Sequence, residues 1–72
     1  MRNYDNISRS QMEALIYEWI TGQHAKRNRE LIYRKLFDGI TYEALAEEFD
    51  LSVSQVKRII TKGLATITRH MN

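Results

Sequence analysis

The chain has 72 residues, a net charge of +2 and no cysteine, so we expect one small domain, 1–72, without a disulfide framework or a thiolate metal site. Its apolar content of 43% suffices for a packed core and excludes a disordered chain. No apolar run reaches the roughly 20 residues that cross a bilayer, and the first residues lack the apolar stretch of a signal peptide. We therefore expect a cytoplasmic protein that does not span a membrane.

Apolar residues recur at three- and four-residue spacing between residues 8 and 21, which predicts a first helix with one buried face. They are Met12, Leu15, Ile16, Trp19 and Ile20. Ser8 and Gln11 are spaced as a capping box at its start, and Gly22 suits the left-handed residue after its last turn. We assign Trp19 to the core rather than to an aromatic partner site, because a stripe at this spacing is usually core.

A second helix is predicted over residues 26–37, ended by Gly39. Its apolar residues are Leu31, Ile32 and Leu36, with Tyr33 and Phe37 as further candidates. Its other face is basic and comprises Lys26, Arg27, Arg29, Arg34 and Lys35.

Two further helices are predicted from their caps, a short one over 42–49 and a longer one over 53–70. Thr41 is a plausible N-cap for the third helix, and Ser52 with Gln55 forms a capping box for the fourth. Asp50, in the turn between them, is expected to adopt the left-handed conformation, less comfortably than glycine would. No segment alternates with period two, so the expected fold is all-α with four helices.

Charge is segregated along the chain. Residues 24–37 hold five bases and one acid, residues 38–50 hold five acids and no base, and residues 51–72 hold four bases and no acid. Any one segment could be an ordinary solvated helix face. The acid-free last segment is harder to explain in that way and suggests an anionic partner.

The break between the third and fourth helices has the spacing of a helix-turn-helix, in which the second helix enters the major groove of DNA. Small Ala46 fits the close approach of the two helices, Leu51 fills the turn, and Val56 and Ile59 face the third helix. The opposite face of the fourth helix, called here the outward face, comprises Ser54, Gln55, Lys57, Arg58, Thr61 and Lys62. Serine, threonine and glutamine can bond base edges, arginine can fork onto guanine, and lysine can neutralise phosphate.

From residue 27 to residue 68 the chain resembles region four of bacterial sigma factors and the related sigma-like helix-turn-helix regulators. The matching residues are Gly39, Thr41-Tyr42-Glu43, Leu45-Ala46-Glu47-Glu48 and Ser52-Val53-Ser54-Gln55-Val56-Lys57-Arg58. Asp50 stands where the family's turn usually has glycine. Carried over by position, the resemblance implies DNA contacts at Ser52, Ser54, Gln55, Lys57, Arg58 and Thr61. It also implies phosphate contacts near Thr41 and Tyr42, because a helix N-terminus attracts anions.

The resemblance implies a small transcriptional regulator of phages or mobile elements, since the chain has no room for the sigma domains that open promoters. The alternative is a protein-interaction module with the same fold, for example one that binds RNA polymerase. Because specific affinity usually comes from two modules on paired half-sites, we expect a homodimer or a larger protein partner, with helix one and the tail 67–72 as the candidate surfaces. The acids of the third helix, Glu43, Glu47 and Glu48, are expected either to face away from DNA or to pair with bases of the second helix.

Catalysis and metal binding are not expected. No nucleophile is paired with a base, and no glycine-rich phosphate loop is present. His24 and His70 lie in different elements without a cysteine partner, which disfavours a zinc site. We therefore expect neither an enzyme nor a cofactor.

Overall fold

The computed structural model describes residues 8–71. It contains four helices, α1 Arg9–Trp19, α2 Ala25–Phe37, α3 Tyr42–Phe49 and α4 Val53–Arg69. No strand occurs among the described residues. The predicted all-α fold of four helices is confirmed, with the bounds of α3 as expected.

The other helices match their approximate predicted bounds to within two residues. Helix α1 spans 9–19 rather than 8–21, because Ser8 is its cap and Ile20 is already extended, with φ −94° and ψ 97°. Gly22 has a positive φ of 102°, but it lies in the α1–α2 turn and does not directly follow the last helical turn. Helix α2 begins one residue earlier than predicted, and α4 ends one residue earlier.

The three predicted N-caps are confirmed. Ser8 and Ser52 each accept a hydrogen bond from the backbone N–H three residues on, at 3.2 and 3.0 Å. The side-chain oxygens of Gln11 and Gln55 accept in return from the N–H groups of those serines. Thr41 accepts from the N–H of Ala44 at 3.1 Å. These local contacts start α1, α3 and α4 where the sequence predicts, because a cap depends only on neighbouring residues.

The core lies where α4 packs against the other three helices. Its buried apolar residues are Met12, Ile16, Ile20, Leu31, Ile32, Leu45, Ala46, Val56, Ile60 and Ile67. Ala46 is 6% exposed, as expected for a small residue between α3 and α4. Leu51 and Ile59 are half-buried and pack against this core.

Trp19 was predicted to belong to the buried core, and this prediction is wrong. It is half-buried, and its ring stacks on that of His70, with centroids 3.6 Å apart and planes 1° apart. A large ring at the last turn of α1 reaches past the core to the end of α4. Ile67, at the start of the proposed dimerisation tail, is fully buried. Part of the tail therefore packs into the core of its own chain and is not available as a dimerisation surface. Asn72 lies outside the described residues.

Arg29, predicted on a basic solvent face of α2, instead closes the end of α1. Its Nε donates to the carbonyl of Ile20 at 2.7 Å and its Nη2 to that of Tyr17 at 2.8 Å. Its guanidinium also lies 4.3 Å from the centroid of the Tyr17 ring. Because the last carbonyls of a helix have no partner within it, Arg29 supplies the donors that α1 lacks.

The turn between α3 and α4 has Asp50 in the left-handed conformation, with φ 57° and ψ 47°. The N–H of Leu51 donates to the carbonyl of Ala46 at 2.9 Å, and that of Asp50 to the carbonyl of Glu47 at 3.4 Å. These two bonds form a Schellman motif, which most often has glycine at the left-handed position. The turn therefore ends α3 and directs the chain into α4 at the cost of strain at Asp50.

Replacing Asp50 by glycine is expected to raise the free energy of unfolding by about 0.5 to 1 kcal/mol. Glycine removes the left-handed penalty, although its greater freedom in the unfolded chain offsets part of the gain. Urea denaturation measures the change. The control is Gly39→Ala, at φ 66° with no atom within 4 Å of the added Cβ, which should destabilise. A loss of stability in Asp50→Gly would show that the carboxylate stabilises the turn more than its backbone strain costs.

Candidate nucleic-acid interface

Helix α4 separates a buried side from an exposed one. Val56, Ile60, Gly63 and Ile67 are buried against the other helices. All six residues of the outward face are exposed. Five of them, Ser54, Lys57, Arg58, Thr61 and Lys62, line one shallow concavity together with Ala65. Burial of the opposite side holds the outward face toward solvent, so its donors are presented together to a partner.

Ser52 and Gln55 occupy the first turn of α4 and are engaged in its capping box. The serine hydroxyl oxygen accepts from the N–H of Gln55, and the glutamine Oε1 accepts from the N–H of Ser52. The hydroxyl hydrogen of Ser52 and the side-chain NH₂ of Gln55 remain donors. Both residues can therefore donate to an anion or a base edge while the cap stays intact.

The start of α3 borders the outward face on one side. Thr41 is exposed and Tyr42 is half-buried. The Nζ of Lys35 lies 4.2 Å, and that of Lys57 5.6 Å, from the centroid of the Tyr42 ring. The tyrosine thus places one lysine of α2 and one of α4 beside the N-terminus of α3, which itself favours anions.

Lys35 is the residue that sequence reasoning missed at this position. Its Nζ also donates to the carbonyl of Ile40 at 3.2 Å, so the lysine spans the connection between α2 and α3. Its only sequence signal is its place in the basic segment 24–37. Its proximity to Tyr42 depends on how the chain turns at Gly39, which residue types alone do not specify.

The cations of α4 have no acidic partner within residues 8–71. The two ion pairs found there are Arg9 with Glu13 and Arg34 with Glu48. Neither involves α4, whose basic residues are Lys57, Arg58, Lys62 and Arg69. The positive charge of this helix is therefore available to an external anion.

The acids of α3 were predicted either to face away from DNA or to pair with bases of α2. Glu48 adopts the second arrangement, because it pairs with Arg34 of α2. The hydrogen bond to Glu48 raises the pKa of Arg34 above its ordinary value. Because both side chains are partly or largely exposed, the pair contributes little to stability. Its effect is to pair one carboxylate with a cation, although Glu43, Glu47 and Glu48 are all exposed.

Within residues 8–71, no three His, Asp or Glu side chains are grouped as metal ligands. The same part of the chain contains no helix with both the length and the apolar character needed to span a bilayer. Comparison with protein-family models, curated proteins and solved structures gives no match to this chain. The geometry and charge of α4 and its neighbours are therefore the basis for assigning a function.

Proposed function

We propose that this protein binds double-stranded DNA sequence-specifically, as a small transcriptional regulator, with α4 in the major groove. The observation that carries the proposal is the outward face, which is exposed, polar and basic along successive turns while the opposite side of α4 is buried. A helix with its side chains is about 10 to 12 Å wide and the major groove is about 12 Å wide. Helix α4 therefore has the shape and the donors to read base edges.

The residues of the interface divide into two roles. Ser54, Gln55, Arg58 and Thr61 carry groups that can bond base edges, and Arg58 can fork onto the two acceptors of guanine. Lys57 and Lys62 contact phosphate, which contributes affinity without sequence preference.

The start of α3 supports this arrangement by offering a second set of phosphate contacts. Thr41, Tyr42 and the hydroxyl hydrogen of Ser52 lie at helix starts, where backbone N–H groups and the helix dipole favour an anion. Lys35 adds its charge beside the Tyr42 ring. We infer that one DNA strand runs past this position, as the resemblance to region four of sigma factors also implies.

A protein partner is the second candidate, and Tyr17 is the observation that favours one. Among residues 8–71, Tyr17 of α1 is the large hydrophobic residue that is exposed, with 72% of its surface accessible. The outward face of α4 carries no aromatic residue or methionine, although protein interfaces are enriched in them. RNA polymerase or a second copy of the chain would therefore contact α1 rather than α4.

The deciding experiment is selection from a random double-stranded DNA library with the purified protein, across a salt series, followed by sequencing of the bound fraction. An enriched motif is expected, and a twofold motif with half-sites one helical turn apart would indicate a dimer. Light scattering on the free and DNA-bound protein measures the oligomeric state directly. Absence of binding even at low salt would refute DNA binding and direct attention to a protein partner.

Replacing Lys62 by alanine is expected to weaken binding to all sequences alike and to reduce the slope of log K against log salt by about one. The reason is that an ammonium group neutralises phosphate without distinguishing bases. Fluorescence anisotropy with the selected site and with a scrambled duplex, at four or more salt concentrations, gives both slopes. Lys26→Ala, an exposed lysine of α2, is the control. A loss confined to the selected site would instead assign Lys62 to base recognition.

A further inference from the structure

A groove runs along the side of α4 opposite the start of α3. Its walls are the end of α1, the α1–α2 turn, α2 and α4. The polar and charged residues of its lining are Thr21, Asn28, Arg58, Lys62 and Thr66. We call it the flank groove. Its lining holds two cations and no acid, so its electrostatic character matches an anion.

The flank groove is continuous with the outward face, because Arg58 and Lys62 line both. Lys57, on the other edge of the outward face, lies beside Tyr42 at the start of α3. Helix α4 is thus bordered by polar and basic groups on both sides. A helix in the major groove has one phosphodiester backbone on each side of it, since the two strands form the walls of that groove.

We propose that the flank groove binds the phosphodiester backbone of the DNA strand opposite the one at the start of α3. This inference rests on the proposed DNA-binding function and adds a second backbone contact to it. The donors are the hydroxyl of Thr21, the side-chain NH₂ of Asn28 and the ammonium of Lys62.

The orientation of Asn28 supports this role. Its Oδ1 accepts a hydrogen bond from the Nε of Arg27 at 3.1 Å, which assigns the oxygen to the arginine and leaves the NH₂ group as donor. Thr66 does not contribute a donor, because its hydroxyl donates to the carbonyl of Lys62 at 3.1 Å. Thr21 is exposed in the α1–α2 turn, where a longer side chain can be introduced without disturbing a helix.

The test adds a positive or a negative charge in the flank groove and measures DNA affinity across a salt series. Thr21→Lys should bind the selected and the scrambled duplex more tightly and steepen the slope of log K against log salt by about 0.9. Asn28→Asp keeps the oxygen that accepts from Arg27, so the fold should be retained, but its charge should weaken binding to both duplexes. Ser10→Lys and Ser10→Asp make the same charge changes at an exposed position near the start of α1 and should change the slope less.

Methylphosphonate substitution then identifies the strand. Single phosphates of the selected duplex are neutralised one at a time. At one or two phosphate positions, neutralisation should abolish the loss of affinity that Asn28→Asp causes. Those positions should lie on the strand opposite the phosphates that are sensitive to Lys35→Ala.

The outcomes separate this inference from the proposed function. If the native protein binds no DNA, both are wrong. If it binds DNA and loses affinity with Arg58→Ala, but Thr21→Lys and Asn28→Asp behave as the Ser10 variants do, the flank groove does not bind a backbone and α4 alone holds the duplex. Circular dichroism melting of every variant verifies that each is folded.

Discussion

Arg58→Ala is expected to weaken binding to the selected DNA site by about 1 to 3 kcal/mol, roughly 5- to 150-fold, and to relax preference at one base pair. Arg58 is exposed on the outward face and lines both the shallow concavity and the flank groove. Within residues 8–71 no acid pairs with it. Its guanidinium is therefore free to donate two parallel hydrogen bonds to the O6 and N7 atoms of a guanine.

The matched control for this prediction is Arg58→Lys, which keeps the charge and loses the planar fork. It should preserve the salt dependence of binding while relaxing the same base preference. Selection with each variant, followed by anisotropy on single-base variants of the site, measures both properties. Equal weakening of random and selected DNA by Arg58→Ala would mean that the residue contacts phosphate and does not read a base.

Gly63→Leu is expected to lower the free energy of unfolding by about 3 kcal/mol, the upper end of the usual range for overpacking. Gly63 is buried in α4, and a Cβ at this position would lie 2.4 Å from Cδ1 of Ile32 and 3.3 Å from Cδ1 of Ile20. Ile32 is fully buried, so its side chain has little room to move. A leucine side chain would force α4 away from α1 and α2.

Gly63→Ala serves as the graded comparison, because alanine adds a single atom at the same position. Its better helix propensity favours folding by about 1 kcal/mol, which offsets part of the clash with Ile32. Thermal and urea unfolding should therefore rank the native protein and Gly63→Ala well above Gly63→Leu. Equal stability of the leucine variant would show that α4 does not approach α1 and α2 as closely as described.

Several contacts of the fold were predictable because they involve residues close in sequence. The capping boxes at Ser8 and Ser52 each join residues three apart, and the left-handed Asp50 follows from a three-residue turn that has no glycine. The outward face also follows from helical spacing, since packing Val56 and Ile59 inward exposes the positions opposite them. DNA contact by that face remains a prediction.

The features that were not predicted depend on contacts between distant residues. Arg29 closes the end of α1, and Trp19 stacks on His70 instead of entering the core. Lys35 reaches Tyr42 across the α2–α3 connection. Each contact depends on the angles and distances at which the helices cross, and residue spacing within one helix does not contain that information.

The sequence by itself therefore determined the four helices, the N-caps of α1, α3 and α4, and the side of α4 that faces solvent, because hydrogen bonding and apolar periodicity within a helix are local. Only the tertiary structure decided what borders α4. The close approach at Gly63 and the position of the α1–α2 turn create the flank groove. The ion pair between Arg34 and Glu48 joins one acid of α3 to a cation of α2. These features arise from helix packing, in which side chains far apart in the chain share one small core.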